Sequence, residues 1–380
     1  MTKILFLANN STGLYAFRNE LLLILKDEGY EVVVSIPDDE HRKDIENEGI
    51  RVIHTGLDRR GMNPIRDFNL VFEYRKLLKR ERPDAVLTYT IKPNVYGGFV
   101  CGRLGIPFIS TITGLGSAFE KKGMVQKLVI FMYKVSMKKC SCIFFQNAEN
   151  KVLFEKLGII GLKTKLVGGS GVNLNYHKMA DYVGHDKNLT KFLYVGRLMK
   201  EKGIEEYLYA AYKMHKKYGS KVSFATLGYD DDNYLEIVKN AQDEGIITAI
   251  PFHKDVRPFY AECDVLVQPS YHEGMSNVIM EAAAAGRPVL CSDISGCREL
   301  VDDTVTGFVF RPCDGEALFE AMNRFMNLSF EERENLGNAG RIKMEREFDR
   351  EKVAESYLSK IKSIIITSND LAISHPKSPK

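Results

Sequence analysis

Twice along its length the chain alternates short, nearly uninterrupted apolar runs with segments of helical periodicity, and this repeat restricts the fold more than any other feature. KILFLA precedes LYAFRNELLLILKDEG, YEVVVSIP precedes a charged helical stretch, and IRVIHT follows. The alternation continues through a helix near 64–79, DAVLTYT, a helix near 94–104, PFISTI, a helix over 124–139 and CIFFQN. Strands that are apolar on both faces need helices on both faces, so the sheet is parallel and its crossovers are right-handed. Residues 1–170 therefore read as one doubly wound, Rossmann-like domain. Residues 171–188, rich in Asn, His and Asp, read as an interdomain crossing.

A second α/β domain spans 189–346: KFLYVGRL, a helix over 203–217, KVSFATLG, a helix near 232–244, TAIPFH, a short helix near 256–261, DVLVQPS, a helix over 276–285 and PVLCSD. Helices over 315–326 and 330–346 follow. Residues 347–366 read as a last helix and 367–380, ending SHPKSPK, as a disordered tail. Open α/β sheets bind ligands beyond the carboxyl ends of their strands, so two facing domains predict a shared interdomain cleft.

The remaining bulk features narrow the setting. No segment approaches the run of about 20 apolar residues that a spanning helix requires. The N-terminal apolar stretch is short and ends in a Gly-containing polar loop, as a first strand would rather than a signal peptide, which predicts a cytoplasmic protein. Seven cysteines without a CxxC pair suggest neither a disulfide framework nor a zinc site. The net charge of +3 conceals an asymmetry: residues 1–180 hold 27 of the 53 Lys and Arg but only 18 of the 50 Asp and Glu. The first half is basic and the second acidic.

The chemistry-bearing segments lie in the second half. In HEGMSNVIMEAAAAGRPVL, directly after DVLVQPS, Glu273 falls in a loop, Gly274 allows close backbone approach, and a helix begins near Met275 or Ser276. The N–H groups and dipole of such a helix start can receive a diphosphate. Glu281, eight residues after Glu273, can accept two hydrogen bonds from a ribose diol, and Glu273 can hold sugar hydroxyls. In LYVGRLMKEKG, Gly196 and Arg197 end a strand and Lys202 precedes the next helix, so both cations can reach one diphosphate. The run Asp230, Asp231 and Asp232 reads as helix capping and not as a metal motif.

Together these segments resemble the retaining family-4 glycosyltransferases of GT-B fold. The resemblance implies that Arg197 and Lys202 bind the donor diphosphate, that Glu273 and Glu281 hold sugar and nucleoside, and that Gly274, Met275, Ser276 and Asn277 complete the donor site. Gly13 joins the donor site from the first half, and the resemblance implies that the last helix, 347–366, crosses back onto the first domain. Arg197, Lys202 and Glu273 carry the catalytic role, and the resemblance implies neither a protein nucleophile nor a metal or cofactor, the donor being a UDP-sugar. Within the first half, STGLYAFRNELL, YTIKPNVYGG and ITGLGSAF resemble transferases that build capsule, O-antigen or protein-linked glycans on polyprenyl diphosphate. That likeness implies a polyprenyl-diphosphate-linked saccharide as acceptor, contacted by Tyr15, Arg18, Lys92, Thr113 and Gly114, with Arg18 or Lys92 on its phosphate. Leu87, Tyr89 and Thr113 stand where some of those transferases have histidines, so no histidine role carries over.

EKKGMVQKLVIFMYKVSMKKCS carries Lys121, Lys122, Lys127, Lys134, Lys138 and Lys139 with no acidic residue between the first and last of them. Val125, Leu128, Val129, Met132, Tyr133 and Met137 interleave with the lysines. Such a helix suits an anionic bilayer surface, placing the protein peripherally on the inner face of the cell membrane. The competing readings are a GT-B enzyme with a soluble acceptor, a sugar-nucleotide epimerase or hydrolase, and a nucleic-acid-binding protein. The last lacks stacking motifs, zinc ligands and a helix-turn-helix signal, so no nucleic-acid partner is expected.

Overall fold

The computed structural model describes residues 1–37, 39–56, 64–114, 123–182 and 186–374, with side chains described up to 367 except those of 64–66. The chain divides into two compact units: Met1–Ser170 together with Arg350–Lys380, and Gly171–Asp349.

The first unit carries strands β1 (Lys3–Leu7), β2 (Glu31–Ile36), β3 (Arg51–His54), β4 (Ala85–Tyr89), β5 (Phe108–Ile112), β6 (Cys142–Phe145) and β7 (Thr164–Leu166). Helices α1 (Ser11–Asp27), α2 (Arg42–Asn47), α3 (Pro64–Glu81), α4 (Gly98–Leu104), α5 (Met124–Met137) and α6 (Ala148–Lys156) connect them. The strand order is β3-β2-β1-β4-β5-β6-β7, and every pairing is parallel. Alternation along the strands sends successive residues to opposite faces. Ile4, Phe6, Val32 and Val34 join one core with α1, whereas Leu5, Leu7 and Val33 join another under α3 and α5. That is why these strands read as continuous apolar runs.

The second unit repeats the scheme with β8 (Thr190–Val195), β9 (Val222–Gly228), β10 (Thr248–Pro251), β11 (Val265–Gln268), β12 (Val289–Ser292) and β13 (Gly307–Phe310). Its helices are α7 (Ile204–Tyr218), α8 (Leu235–Asp243), α9 (Arg257–Glu262), α10 (Asn277–Ala284), α11 (Gly315–Met326) and α12 (Phe330–Glu347). The order β10-β9-β8-β11-β12-β13 is again parallel throughout and reverses between β8 and β11. Both units are thus Rossmann-like, and ligand sites in such sheets lie beyond the strand ends near that reversal.

Helix α13 (Arg350–Ser374) belongs to the first unit, although the second precedes it in the chain. Its Val353, Ala354, Tyr357, Ile361 and Ile364 share a core with Leu14, Leu21, Leu22 and Leu25 of α1. The helix continues past Ile366 to Ser374, so the start of the expected disordered tail is helical; residues 375–380 lie outside the described part. Two other expectations are corrected. The helix expected from Asn94 opens as one wide π turn, Pro93–Gly97, before α4. The acidic run 230–232 does not cap α8: Asp230 Oδ1 accepts from the amides of Asp232 and Tyr234 in a preceding turn, and Asp231 turns to Arg197.

Candidate active site

The loops after β8 and β11, the two strands flanking the order reversal, and helix α10 that follows the second loop hold the residues singled out in the second half. Beyond β8, the amide of Gly196 donates to Leu227 O at 3.0 Å, and Gly228 lies so near that a Cβ on it would sit 1.9 Å from Gly196 O. Gly228 must therefore be glycine for Arg197 to leave the sheet at this point. The Arg197 guanidinium pairs with Asp231 at 2.5 Å, and its carbonyl accepts from Tyr194 Oη at 2.7 Å. Burial pushes the Tyr194 phenol far up, reinforced by the Glu273 carboxylate and opposed by Arg197. Because β8 and β11 pair in parallel, Arg197 and Glu273, which follow their carboxyl ends, lie at the same end of the sheet.

Lys202 closes a short 3-10 turn, and Gly203 follows with φ +74. A side chain there would be strained, and its Cβ would fall 2.1 Å from Pro269 O. This close approach, with the amide of Tyr271 donating to Glu201 O at 2.9 Å, fastens the β8 loop to the end of β11. As a result the Lys202 ammonium meets Glu273 Oε1 at 2.5 Å. The same oxygen accepts from Ser270 Oγ at 2.9 Å and faces the Gln268 amide at 3.4 Å, so three donors fix the carboxylate.

Helix α10 is capped by Ser276, whose hydroxyl accepts from the Ile279 amide while its own amide donates to Gly296 O at 2.9 Å. Gly296, at φ +85, has room for no Cβ because Glu273 O and Gly274 O both lie 2.8 Å from that position. Met275 is buried beneath the loop, and Asn277 opens the helix. The small residues Ala282, Ala283 and Ala284 are buried where α12 crosses closely: a Cβ on Gly337 would lie 2.0 Å from Gly286 O, and one on Gly340 3.6 Å from Ala283. Glu281 occupies the remaining, half-buried face and accepts from Tyr260 Oη at 3.0 Å. Lys202 and Glu273 are thus in direct contact, Arg197 and Glu281 have partners of their own, and the sequence reading missed Asp231, Ser270, Tyr260 and the glycines 203, 228 and 296.

In the first unit, Gly13 lies in the first turn of α1, its amide committed to Asn10 Oδ1 at 2.5 Å. Tyr15 stacks on His41 at 5.2 Å. Arg18 is buried between the rings of Tyr89 and Tyr357, at 5.4 and 5.9 Å from their centroids, and its Nε has no hydrogen-bond partner. The Tyr89 hydroxyl is also buried without a hydrogen-bond partner, as is that of the next residue, Thr90, whose φ is +71. Lys92 instead pairs with Asp67 at 2.7 Å, and Tyr96 Oη shares that carboxylate at 3.1 Å. Thr113 and Gly114 follow the carboxyl end of β5 and are partly exposed.

On α5 the structure revises which residues face outward. Val129, Tyr133 and Met137 are buried in the core and cannot meet a surface, whereas Met124, Val125, Leu128, Phe131 and Val135 are exposed at helical spacing. Lys127, Lys134, Lys138 and Lys139 are exposed beside them, and Lys139 donates to Gly102 O at 3.0 Å. Lys121 and Lys122 lie outside the described residues. Among the described residues no helix is long and apolar enough to cross a membrane, and no group of three or more His, Cys, Asp or Glu is arranged to hold a metal ion.

Two Rossmann-like units in one chain, the second with a cationic loop after one central strand and a glutamate loop after the next, match the GT-B class of fold. Residues 3–147 match the glycosyl transferase 4-like family and residues 178–343 the glycosyl transferases group 1 family, and the chain belongs to this two-domain glycosyltransferase group. It is 27% identical over 337 residues to the N,N'-diacetylbacillosaminyl-diphospho-undecaprenol alpha-1,3-N-acetylgalactosaminyltransferase of Campylobacter jejuni, covering 84% of this chain and 88% of that one. It is 24% identical over 317 residues to the UDP-Gal:alpha-D-GlcNAc-diphosphoundecaprenol alpha-1,3-galactosyltransferase of Escherichia coli, covering 79% and 81% of the two chains. Among solved structures, Anabaena HepE in complex with UDP superposes with a TM-score of 0.77 at 19% identity, over 95% of this chain and all of that one.

Proposed function

We propose that this protein is a retaining, metal-independent transferase that moves a hexose derivative, an N-acetylhexosamine by preference, from a UDP-sugar to a polyprenyl-diphosphate-linked saccharide in surface polysaccharide or glycan assembly. The observation that carries the donor half is the Lys202–Glu273 contact at the strand-order reversal, with Arg197 leaving β8 at the same sheet end. In this reading Arg197 and Lys202 exchange their carboxylates for the donor diphosphate, Glu273 turns to the sugar hydroxyls and Glu281 takes the ribose. The names of the Campylobacter and Escherichia relatives support the lipid-linked acceptor, and that of the second supports a UDP-linked donor.

The bond from the anomeric carbon to the diphosphate breaks as the acceptor oxygen bonds to the same carbon on the same face, and the acceptor proton passes to the departing diphosphate oxygen. Charge neutralisation by Arg197 and Lys202 stabilises the leaving group, the term that commonly supplies most of such a rate. Arg18, whose Nη1 donates to Phe17 O while its Nε has no hydrogen-bond partner, is the first candidate for the acceptor phosphate; Lys92 would have to leave Asp67, as Arg197 and Lys202 leave their carboxylates in this reading. The outward apolar stripe and lysines of α5 suit a peripheral position on an anionic membrane, where such an acceptor resides.

The reading is tested by calorimetric screening of nucleotide sugars in the presence of a metal chelator, with wild type and Arg197→Ala. Binding of one UDP-sugar that is lost or sharply weakened in the variant is the expected result, and the bound sugar then enters transfer assays on lipid-linked acceptors. Failure of the wild-type protein to bind any nucleotide sugar refutes the proposal.

A further inference from the structure

Glu281 does not stand alone on its helix face, because two hydrogen-bonded links tie it and its helix to α9. The first is the hydroxyl of Tyr260, which donates to Glu281 Oε2 at 3.0 Å. The Tyr260 ring is fully buried, and burial together with the Glu281 charge pushes its phenol far above the ordinary range. It therefore remains a donor at any pH at which the protein works.

The second link starts from Arg287, just beyond α10 and the largest fully buried side chain among the described residues. Its Nε donates to Tyr260 O at 2.8 Å, and its Nη2 to Ala261 O at 2.8 Å and Asp181 O at 3.3 Å. The guanidinium lies 3.9 Å from the centroid of the Tyr182 ring. Tyr260 and Ala261 belong to the last turn of α9, whose carbonyls have no acceptor role left within the helix and form the negative end of its dipole. A buried cation with no carboxylate among these contacts is costly unless its donors are used; Nε and Nη2 are spent on the end of α9, while Nη1 is buried without a hydrogen-bond partner. Arg287 thus fixes the backbone of Tyr260, and Tyr260 fixes the carboxylate of Glu281.

We infer that Tyr260 is a positioning residue for Glu281, seated by Arg287, and that it holds the Glu281 carboxylate at the angle needed to receive the ribose diol of a nucleoside diphosphate. The inference rests on the donor-site reading given above. Without the Tyr260 hydroxyl the Glu281 carboxylate loses one of the contacts that orient it and must be ordered further on binding, so the loss falls on donor affinity and not on the chemical step.

The experiment measures UDP and GDP binding by calorimetry, KM and kcat for the donor, and thermal melting, in wild type, Tyr260→Phe, Glu281→Gln and the double variant. For the nucleotide that wild type binds, Tyr260→Phe is expected to weaken affinity about tenfold, in keeping with a hydrogen bond to a charged group. KM rises in step, kcat stays near wild type, and adding Tyr260→Phe to Glu281→Gln brings no further loss, because the two act as one unit. Unchanged affinity in Tyr260→Phe alongside weakened affinity in Glu281→Gln overturns the inference and leaves the donor site standing, as does a lowered melting temperature and kcat with KM unchanged. Unchanged affinity in both variants removes the ribose role of Glu281 and the inference with it.

Discussion

Glu273 and a donor diphosphate would compete for the Lys202 ammonium, which makes opposite predictions for the two ends of one ion pair. Lys202 lies 2.5 Å from Glu273, and the side chains are only 20% and 14% exposed, so the contact is formed in a largely desolvated place. A charge-assisted hydrogen bond to phosphate contributes about 1.5–3 kcal/mol, so Lys202→Ala should raise the Kd for UDP by about 10- to 150-fold. Glu273→Gln removes the competing charge while keeping the size of the side chain and an acceptor for Ser270. It should bind UDP as tightly as wild type or several-fold more tightly. Transfer should nevertheless fall by about 100-fold or more, the usual loss when one group aimed at the reacting centre is removed. Titration calorimetry with UDP at low and moderate salt, alongside transfer rates, separates the two effects, and Lys202→Ala should show the weaker salt dependence. Equal weakening of UDP binding by both substitutions would refute the competition argument, and unchanged binding in Lys202→Ala would refute the role of the lysine.

Two further outcomes follow from the first unit. Replacing Leu128 and Phe131 by glutamate should abolish cosedimentation with phosphatidylglycerol-rich vesicles without lowering the melting temperature, since both side chains face outward; retained sedimentation would remove α5 from the membrane reading. Glu81, buried beside Arg51, Arg80 and Lys3, has its carboxyl lowered from 4.5 to about 2, chiefly by the Arg51 hydrogen bond. A depressed carboxyl stabilises the fold above its unfolded value and loses that effect as pH falls, so Glu81→Gln should flatten the loss of stability between about pH 4.5 and 2 in acid-melting curves. An unchanged acid slope in that variant would assign the loss to other groups.

Both sheets were legible because their strands are buried on two faces and carry continuous apolar runs, as in VVVSI of β2 and VLVQ of β11. The elements that escaped lack that signal. Edge strand β7 is three residues long and mostly exposed, α6 buries only Asn150 and Phe154, and β13 is hidden among turn residues. The charged site residues were found through loop position and motif, but their partners were not. Asp231 looked like a cap because local sequence offers capping as its simplest use, and only the β8–β9 approach brings it to Arg197 34 residues away. Tyr260 lies 21 residues before Glu281 on a six-residue helix, a separation that no periodicity reports. On α5, spacing identified an apolar helix with lysines but not which apolar edge the sheet would cover.

The return of α13 to the first unit has a consequence for how the molecule is made. During synthesis the second unit, an unbroken stretch from Gly171 to Asp349, is complete on the nascent chain while the first still lacks a wall of its core. Until Arg350 and the residues after it leave the ribosome, Leu14, Leu21 and Phe144 wait uncovered and Thr111 lacks the hydroxyl of Tyr357, which it meets at 2.9 Å. The half that emerges first is therefore the half that finishes last, and its exposed apolar face during that interval is where a chaperone would be needed.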